Sequence, residues 1–249
     1  MLCPVTAFVL ALGAFFAGLL KVGFGQGSGI LALPLCTLVV SARFANGVLA
    51  PLLALSDLFS IRTYWRQWET RLLLIFLPGQ TIGVVLGAYA LAHLDEGATR
   101  RIIGVLLLVT VGVQLWARRQ PETHATRSNT GKILPGALLA SFVAGVSSAL
   151  AQLGSGFLTV YLVRLRTAKS ALVPTLNLTF FFTNLVKIVL YWRYGLITGA
   201  TWAADAWLAP VVLLGGTIGV AANRRLSQRA FENAVLGFAL LAGAKLLVW

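Results

Sequence analysis

Long apolar runs separated by short polar segments extend along the whole chain. Each is close to the roughly 20 residues that an α-helix needs to cross a hydrocarbon core about 30 Å thick. The pattern therefore predicts an all-α polytopic membrane protein. The long runs are at about residues 4–22, 44–65, 72–93, 99–117, 133–150, 170–192, 203–222 and 231–248, and two shorter ones at about 30–40 and 157–163.

A glycine-rich break precedes each short run. The first is Gly23-Phe24-Gly25-Gln26-Gly27-Ser28-Gly29, and the second is Leu153-Gly154-Ser155-Gly156. A glycine inside a helix costs about 1 kcal/mol relative to alanine, so helices are expected to stop there. In a bilayer, irregular backbone is tolerated only where it is buried in protein or lines a cavity. Each break with its flanking runs therefore predicts a re-entrant or broken helical hairpin.

Several segments of the first half recur in the second half at one constant offset. We therefore predict a first transmembrane repeat over 1–117, a hydrophilic cytoplasmic linker over 118–131 and a second repeat over 132–249, all within one integrated membrane domain. Each repeat consists of a hairpin and three transmembrane helices. The matching pairs are Gly18 with Gly145, Gly27-Ser28-Gly29 with Gly154-Ser155-Gly156, and Tyr64-Trp65-Arg66 with Tyr191-Trp192-Arg193.

Basic residues in the loops predict the orientation of the repeats. If each hairpin returns to its starting side, three crossings per half place the second half upside down, as an inverted-topology repeat. This arrangement collects most basic residues on one side, which is then cytoplasmic. Counting each broken element as one crossing leaves the two sides nearly balanced. Both termini are therefore expected on the non-cytoplasmic side of a bacterial inner membrane. The rich side would carry Arg62, Arg66, Arg71, Arg118, Arg119, Arg127, Lys132, Arg164, Arg166, Lys169, Arg224, Arg225 and Arg229, and the other side Arg43, Arg100, Arg101 and Arg193.

The net charge of +13 is accounted for by these loops, so no nucleic-acid partner is expected. The first 20 residues resemble a signal peptide but have no basic n-region, and we expect them to be retained. The two cysteines and two histidines have no ligand-like spacing, so neither a metal nor a cofactor is predicted. No G-x4-G-K-[ST] loop occurs, and ATP is not expected to drive the protein directly.

The two breaks are the candidate binding site. A helix that begins at a break presents unpaired N–H groups and about half a positive charge, glycine lets an anion approach closely, and serine adds a donor. Matching breaks in two halves are typical of a transporter's binding site. The alternative is that the small residues only allow close helix packing. The candidate substrate-binding residues are Gly25, Gln26, Gly27, Ser28, Gly29, Ser147, Ser148, Gln152, Gly154, Ser155, Gly156, Asn177 and Lys187.

Ionisable residues within apolar runs are functional candidates, because burying a charge in a bilayer costs several kcal/mol. Lys187 could be the countercharge of an anion, or it could snorkel to the interface. Asp57, whose repeat-equivalent residue is Asn184, could carry a proton or form an ion pair with Arg62 or Lys187. Lys21 lies near the first break and could attract anions.

These same segments resemble a known family. The glycine-rich segment followed by Pro34, the stretch from Asp57 to Arg66, and Pro78-x4-Gly83 are similar to the sulfite exporter TauE/SafE family, also called the toluene sulfonate uptake permease family. The likeness covers nearly the whole chain, although Gln26 and Ser28 interrupt the family's run of glycines. The resemblance implies a secondary transporter for a sulfur-containing anion such as sulfite, thiosulfate or an organosulfonate, with a proton as candidate coupling ion.

Two other functions stay open at this point. A passive anion channel could use the same site and would follow voltage while ignoring a pH gradient. An intramembrane serine enzyme needs a base within reach of Ser28 or Ser155. Only Lys21 is a candidate base, so the chain is not expected to be an enzyme.

Overall fold

The computed structural model describes residues 3–25, 27–119, 130–164, 169–225 and 228–248. Gln26 and most of the predicted linker lie outside these ranges. In the described residues the chain forms ten α-helices and no β-strand. They are α1 (Pro4–Phe24), α2 (Ser28–Thr37), α3 (Ala42–Thr63), α4 (Thr70–His93), α5 (Glu96–Arg119), α6 (Thr130–Ala151), α7 (Gly154–Arg164), α8 (Lys169–Arg193), α9 (Gly199–Arg225) and α10 (Gln228–Val248).

Six of these helices are long and apolar enough to cross a membrane. Their spans are Pro4–Phe24, Ala42–Thr63, Thr70–His93, Glu96–Ala117, Ala171–Arg193 and Gly199–Asn223. Shorter apolar helical stretches occur at Ser28–Thr37, Pro135–Ala151 and Val235–Leu247. The protein is therefore a multi-pass integral membrane protein, as the apolar runs predict.

Left-handed backbone conformations separate the arms of the first hairpin. Gly25 ends α1 with φ 68°, and Gly27 precedes α2 with φ 83°. Residues with a Cβ rarely adopt these angles, so glycine is required at both positions. In the second hairpin the left-handed residue after α6 is Gln152, with φ 57°.

Both short arms begin earlier than the apolar pattern suggests. The predicted arm at 30–40 is α2, which begins at Ser28, and the predicted arm at 157–163 is α7, which begins at Gly154. The reason is that the Ser-Gly of the first motif and the Gly-Ser-Gly of the second already form a first helical turn. The arms have 10 and 11 residues and are about 15–17 Å long at 1.5 Å per residue, which is half of a hydrocarbon core.

Glycines bring two pairs of helices into backbone contact. A Cβ on Gly18 of α1 would overlap the Val212 carbonyl of α9, and a Cβ on Gly145 of α6 would overlap the Gln80 carbonyl of α4. Close backbone approach of this kind is the usual packing mode of small residues in membrane helices. The long arm of each hairpin is thus held by a helix of the other half of the chain.

Helices α3 and α8 cross at the centre of the molecule. Asn184 bonds to Asp57, and Asn177 bonds to Ser60, so the numbering rises along one helix as it falls along the other. The two helices are therefore antiparallel. Their polar side chains lie beside a large apolar core that includes Leu20, Leu49 and Leu153.

Candidate functional site

One face of α8 carries most of the polar centre. Asn177, Phe180, Asn184 and Lys187 are three or four residues apart, which places their side chains on one side of the helix. Asn177, Asn184 and Lys187 are buried, at 1% exposure or less. The side chains meet α3, the end of α1 and the break between α6 and α7.

Lys187 lies among neutral oxygen atoms. Its Nζ donates to Gln152 Oε1 at 2.6 Å, to Ser148 Oγ at 3.2 Å and to the Ser148 carbonyl at 3.3 Å. Three acceptors match the three N–H groups of an ammonium. Lys187 is fully buried, so it does not snorkel to the interface. The role of Lys187 as the countercharge of an anion stays a prediction.

Gln152 connects this lysine to the first hairpin. Its Nε2 donates to Asn46 Oδ1 at 3.1 Å, and Asn46 in turn donates to the Leu150 carbonyl at 3.2 Å. Gly29, in the first turn of α2, packs so closely on Gln152 that a Cβ there would overlap the Gln152 carbonyl. The two glycine-rich breaks are therefore in direct contact, beside Lys187.

A second group of charges lies further along the same face of α8. Lys21 Nζ is 3.1 Å from Asp57 Oδ1, and Asn184 Nδ2 donates to Asp57 Oδ2 at 2.7 Å. The Lys21 ammonium also lies 4.5 Å from the centre of the Phe180 ring, in the cation–π range. Phe180 lies against Gly154 as well, and thereby joins this group to the second break.

The ion pair of Asp57 has a different partner from the two that the sequence suggested. Asp57 pairs with Lys21, whereas Arg62 is exposed and lines a surface groove of about 290 Å³ with Leu58, Ile61 and Trp65. The prediction of an Arg62 or Lys187 partner was therefore wrong. Apolar spacing along a helix cannot reveal which neighbouring helix faces a charge.

The other residues predicted to bind the substrate do not all lie at the contact between the two breaks. Ser28, Ser147 and Ser155 are buried at the breaks, and the Asn177 amide donates to Ser60 Oγ at 2.6 Å and to the Lys21 carbonyl at 3.3 Å. Gly156 does not meet the opposite break, because it faces Thr110 and Gln114 of α5. Gln26 lies outside the described residues.

Sequence reasoning missed three buried polar residues near these groups. Asn46 lies eleven residues before Asp57, three helical turns along the same face of α3, and this spacing could have identified it. Ser60 is one turn beyond Asp57 on that face. Gln80 of α4 is fully buried, and neither atom of its side-chain amide has a hydrogen-bond partner among the described residues. No sequence signal distinguishes Gln80 from other polar residues in an apolar run.

A membrane-embedded helix bundle with paired helix breaks and buried charges is the architecture of a transporter. A comparison with protein families agrees with this class, because the family model described as sulfite exporter TauE/SafE matches residues 10–246. The chain belongs to the sulfite exporter TauE/SafE family of membrane transporters. No curated protein and no solved structure matches the chain.

Proposed function

We propose that the protein is a secondary transporter of a small sulfur-containing anion such as sulfite, thiosulfate or an organosulfonate. The anion is held where the two glycine-rich breaks meet. The observation that carries this proposal is the contact of Gly29 with Gln152, whose side chain is bonded to the buried ammonium of Lys187.

The site supplies several kinds of attraction for an oxyanion. Helix α2 begins at Ser28, and Gly27 in front of it provides no side-chain cap. Ile30 N–H donates to the Gly27 carbonyl, so the N–H groups of Ser28 and Gly29 are the ones offered to an anion. The helix dipole adds a partial positive charge, and Lys187 adds a full one. The hydroxyl groups of Ser28 and Ser155 add neutral donors, which bind an anion without trapping it.

We also propose that the two halves form an inverted repeat, with boundaries at 1–117 and 132–249 in one membrane domain. Asp57 and Asn184 are 127 residues apart and bond to each other, as expected for equivalent residues beside a twofold axis. The contact of Gly25 with Val173 is repeated, at the same offset, as the contact of Gln152 with Asn46. This arrangement places both termini on the non-cytoplasmic side of a bacterial inner membrane.

The burial of the site favours a transporter over a channel or an enzyme. Ser28, Gln152, Ser155 and Lys187 are each at most 5% exposed, which suits alternating access better than a continuous pore. Lys21 was the one candidate base for a reactive serine, and its ammonium is paired with Asp57. Both observations support transport without catalysis.

The decisive experiment measures uptake of radiolabelled sulfite into proteoliposomes that contain the purified chain. The variants Ser28→Val and Ser155→Val should each reduce uptake about tenfold or more, because each removes a hydroxyl donor to the anion, and a hydrogen bond to a charged group contributes about 1.5–3 kcal/mol. Ser56→Ala is the matched control, since this buried serine donates to the Leu52 carbonyl within its own helix. Full uptake by both valine variants would contradict the proposed site.

Imposed pH gradients and membrane potentials then distinguish a proton-coupled transporter from a passive channel. Uptake by a proton-coupled transporter should respond to an imposed pH gradient at zero membrane potential. A channel should respond to the potential and ignore the pH gradient.

A further inference from the structure

The charges of the site do not cancel. In the described part of the transmembrane core, Lys21, Asp57 and Lys187 are buried close together, and Asp57 is paired with Lys21 alone. Among the described residues, Lys187 has three neutral acceptors and no carboxylate within 4.0 Å. With both lysines protonated and Asp57 ionised, the group carries one net positive charge, located on Lys187.

Comparison of the two halves explains why one lysine is left over. At the offset that matches Asp57 with Asn184, Lys21 of α1 corresponds to Ser148 of α6, and Ser60 of α3 corresponds to Lys187 of α8. Each half thus places one lysine and one serine at the same junction, with the positions exchanged. The single carboxylate, Asp57, has a neutral counterpart in Asn184. One lysine is neutralised, and the other is not.

Asp205 is the other buried acidic residue in the described part of the transmembrane core, and no oxygen of its carboxylate lies within 4.0 Å of Lys187 Nζ. Gly216 of α9 lies against Val22, which follows Lys21, and against Phe59, which is two residues after Asp57. Asp205 precedes Gly216 by eleven residues on α9, so it lies about 16 Å along the helix from the level of Lys21 and Asp57. It lies instead within the first two turns of α9.

From this charge balance we infer that the site selects singly charged sulfur oxyanions, namely sulfonates and hydrogensulfite, over doubly charged ones such as sulfate and thiosulfate. This inference rests on the proposed function and specifies its substrate class. A buried charge without a partner is costly, and a monoanion neutralises Lys187 completely. A dianion would leave one negative charge uncompensated in the same place. An oxygen of the monoanion takes the position of the Gln152 Oε1 acceptor.

Methanesulfonate and sulfate are suitable probes, because they have similar size and tetrahedral shape but differ by one charge. Their binding to the purified full chain in detergent can be measured by calorimetry, with competition against sulfite uptake as a second readout. We expect methanesulfonate to bind at least about tenfold more tightly than sulfate, as one uncompensated buried charge requires. Equal or tighter binding of sulfate would overturn the inference.

Two variants of the site change its charge in opposite directions. Gln152→Glu is nearly isosteric and places a carboxylate at the oxygen that contacts Lys187, so the net charge becomes zero. Methanesulfonate affinity should then fall on the order of 100-fold, while the fold is retained by the new ion pair. Asp57→Asn raises the net charge to two, and the preference should shift toward sulfate.

Controls keep the test decisive if a variant fails to fold. The double variant Lys21→Met/Asp57→Asn removes the ion pair, retains one positive charge and should keep the preference for methanesulfonate. Arg193→Gln removes a charge from the exposed end of α8 and should change neither affinity. Unchanged affinities in Gln152→Glu would overturn the inference while sulfite transport remained. Absence of any binding and transport by the wild-type chain would instead overturn the proposed function, and this inference with it.

Discussion

At the scale of single residues, Gly29 has no room for a side chain. Its missing side chain lets α2 touch the Gln152 carbonyl, and a methyl group there would overlap that backbone atom. Gly29→Ala should therefore separate the two breaks, destabilise the protein by about 1–3 kcal/mol and remove sulfite uptake. Thermal unfolding in detergent and proteoliposome uptake measure the two effects.

Gly112 of α5 provides the matched control, because a Cβ at this position meets no described atom within 4 Å. Gly112→Ala should leave uptake unchanged and stabilise the helix slightly, since alanine is the better helix former. Normal uptake by Gly29→Ala would show that the contact between the breaks is not needed for transport.

Individual site residues could be predicted from sequence only where the residue type itself is unusual. Lys187 in an apolar run and two serines within glycine breaks are conspicuous, and all three are buried. The hydrogen-bond and ion-pair partners of these buried side chains could not be predicted from residue type. The pairing of Lys21 with Asp57 depends on how α1 and α3 are rotated about their axes, and local spacing carries no information on that rotation.

At the scale of helices, the glycines of two long arms hold the bundle together. Gly18 on α1 meets the Val212 carbonyl, and Gly145 on α6 meets the Gln80 carbonyl. Gly18→Ala and Gly145→Ala should each destabilise the protein by about 1–3 kcal/mol, and by similar amounts if the two contacts are equivalent. Chemical unfolding in detergent measures both.

Gly237 of α10 is the control for both variants, because an added Cβ there has no described neighbour within 4 Å. Gly237→Ala should unfold no more easily than the wild-type chain, since alanine is the better helix former. If Gly145→Ala also did so, the close approach of α4 and α6 would not contribute to stability.

The helices themselves were largely predictable, because apolar runs of membrane length and glycine breaks are local signals. The starts of α2 and α7 were predicted too late, since glycine was treated as a pure helix breaker. The pairing of α1 with α9 and of α4 with α6 was not predicted. Each pairing joins segments that are far apart in the chain, and the glycines at the contacts would allow close packing against many other helices.

At the scale of the whole molecule, the proposed inverted repeat makes a prediction about the two sides of the membrane. The connection between α3 and α4 corresponds, at the offset of the repeat, to the connection between α8 and α9. Parallel repeats would place both connections on the same side. Inverted repeats place the first in the cytoplasm and the second outside it, because each half contributes an odd number of full crossings.

Single cysteines can distinguish these arrangements in a chain whose own cysteines are changed to serine. Gln67→Cys and Ala200→Cys each place a thiol at an exposed position, the first within its connection and the second where α9 begins. In intact cells, a membrane-impermeant maleimide should label the Ala200→Cys variant, and it should react with the Gln67→Cys variant only after the cells are opened. The basic residues Arg62, Arg66 and Arg71 around the first connection favour its retention in the cytoplasm. Labelling of both positions from the same side would rule out inversion, and with it a site built from breaks that enter the membrane from opposite faces.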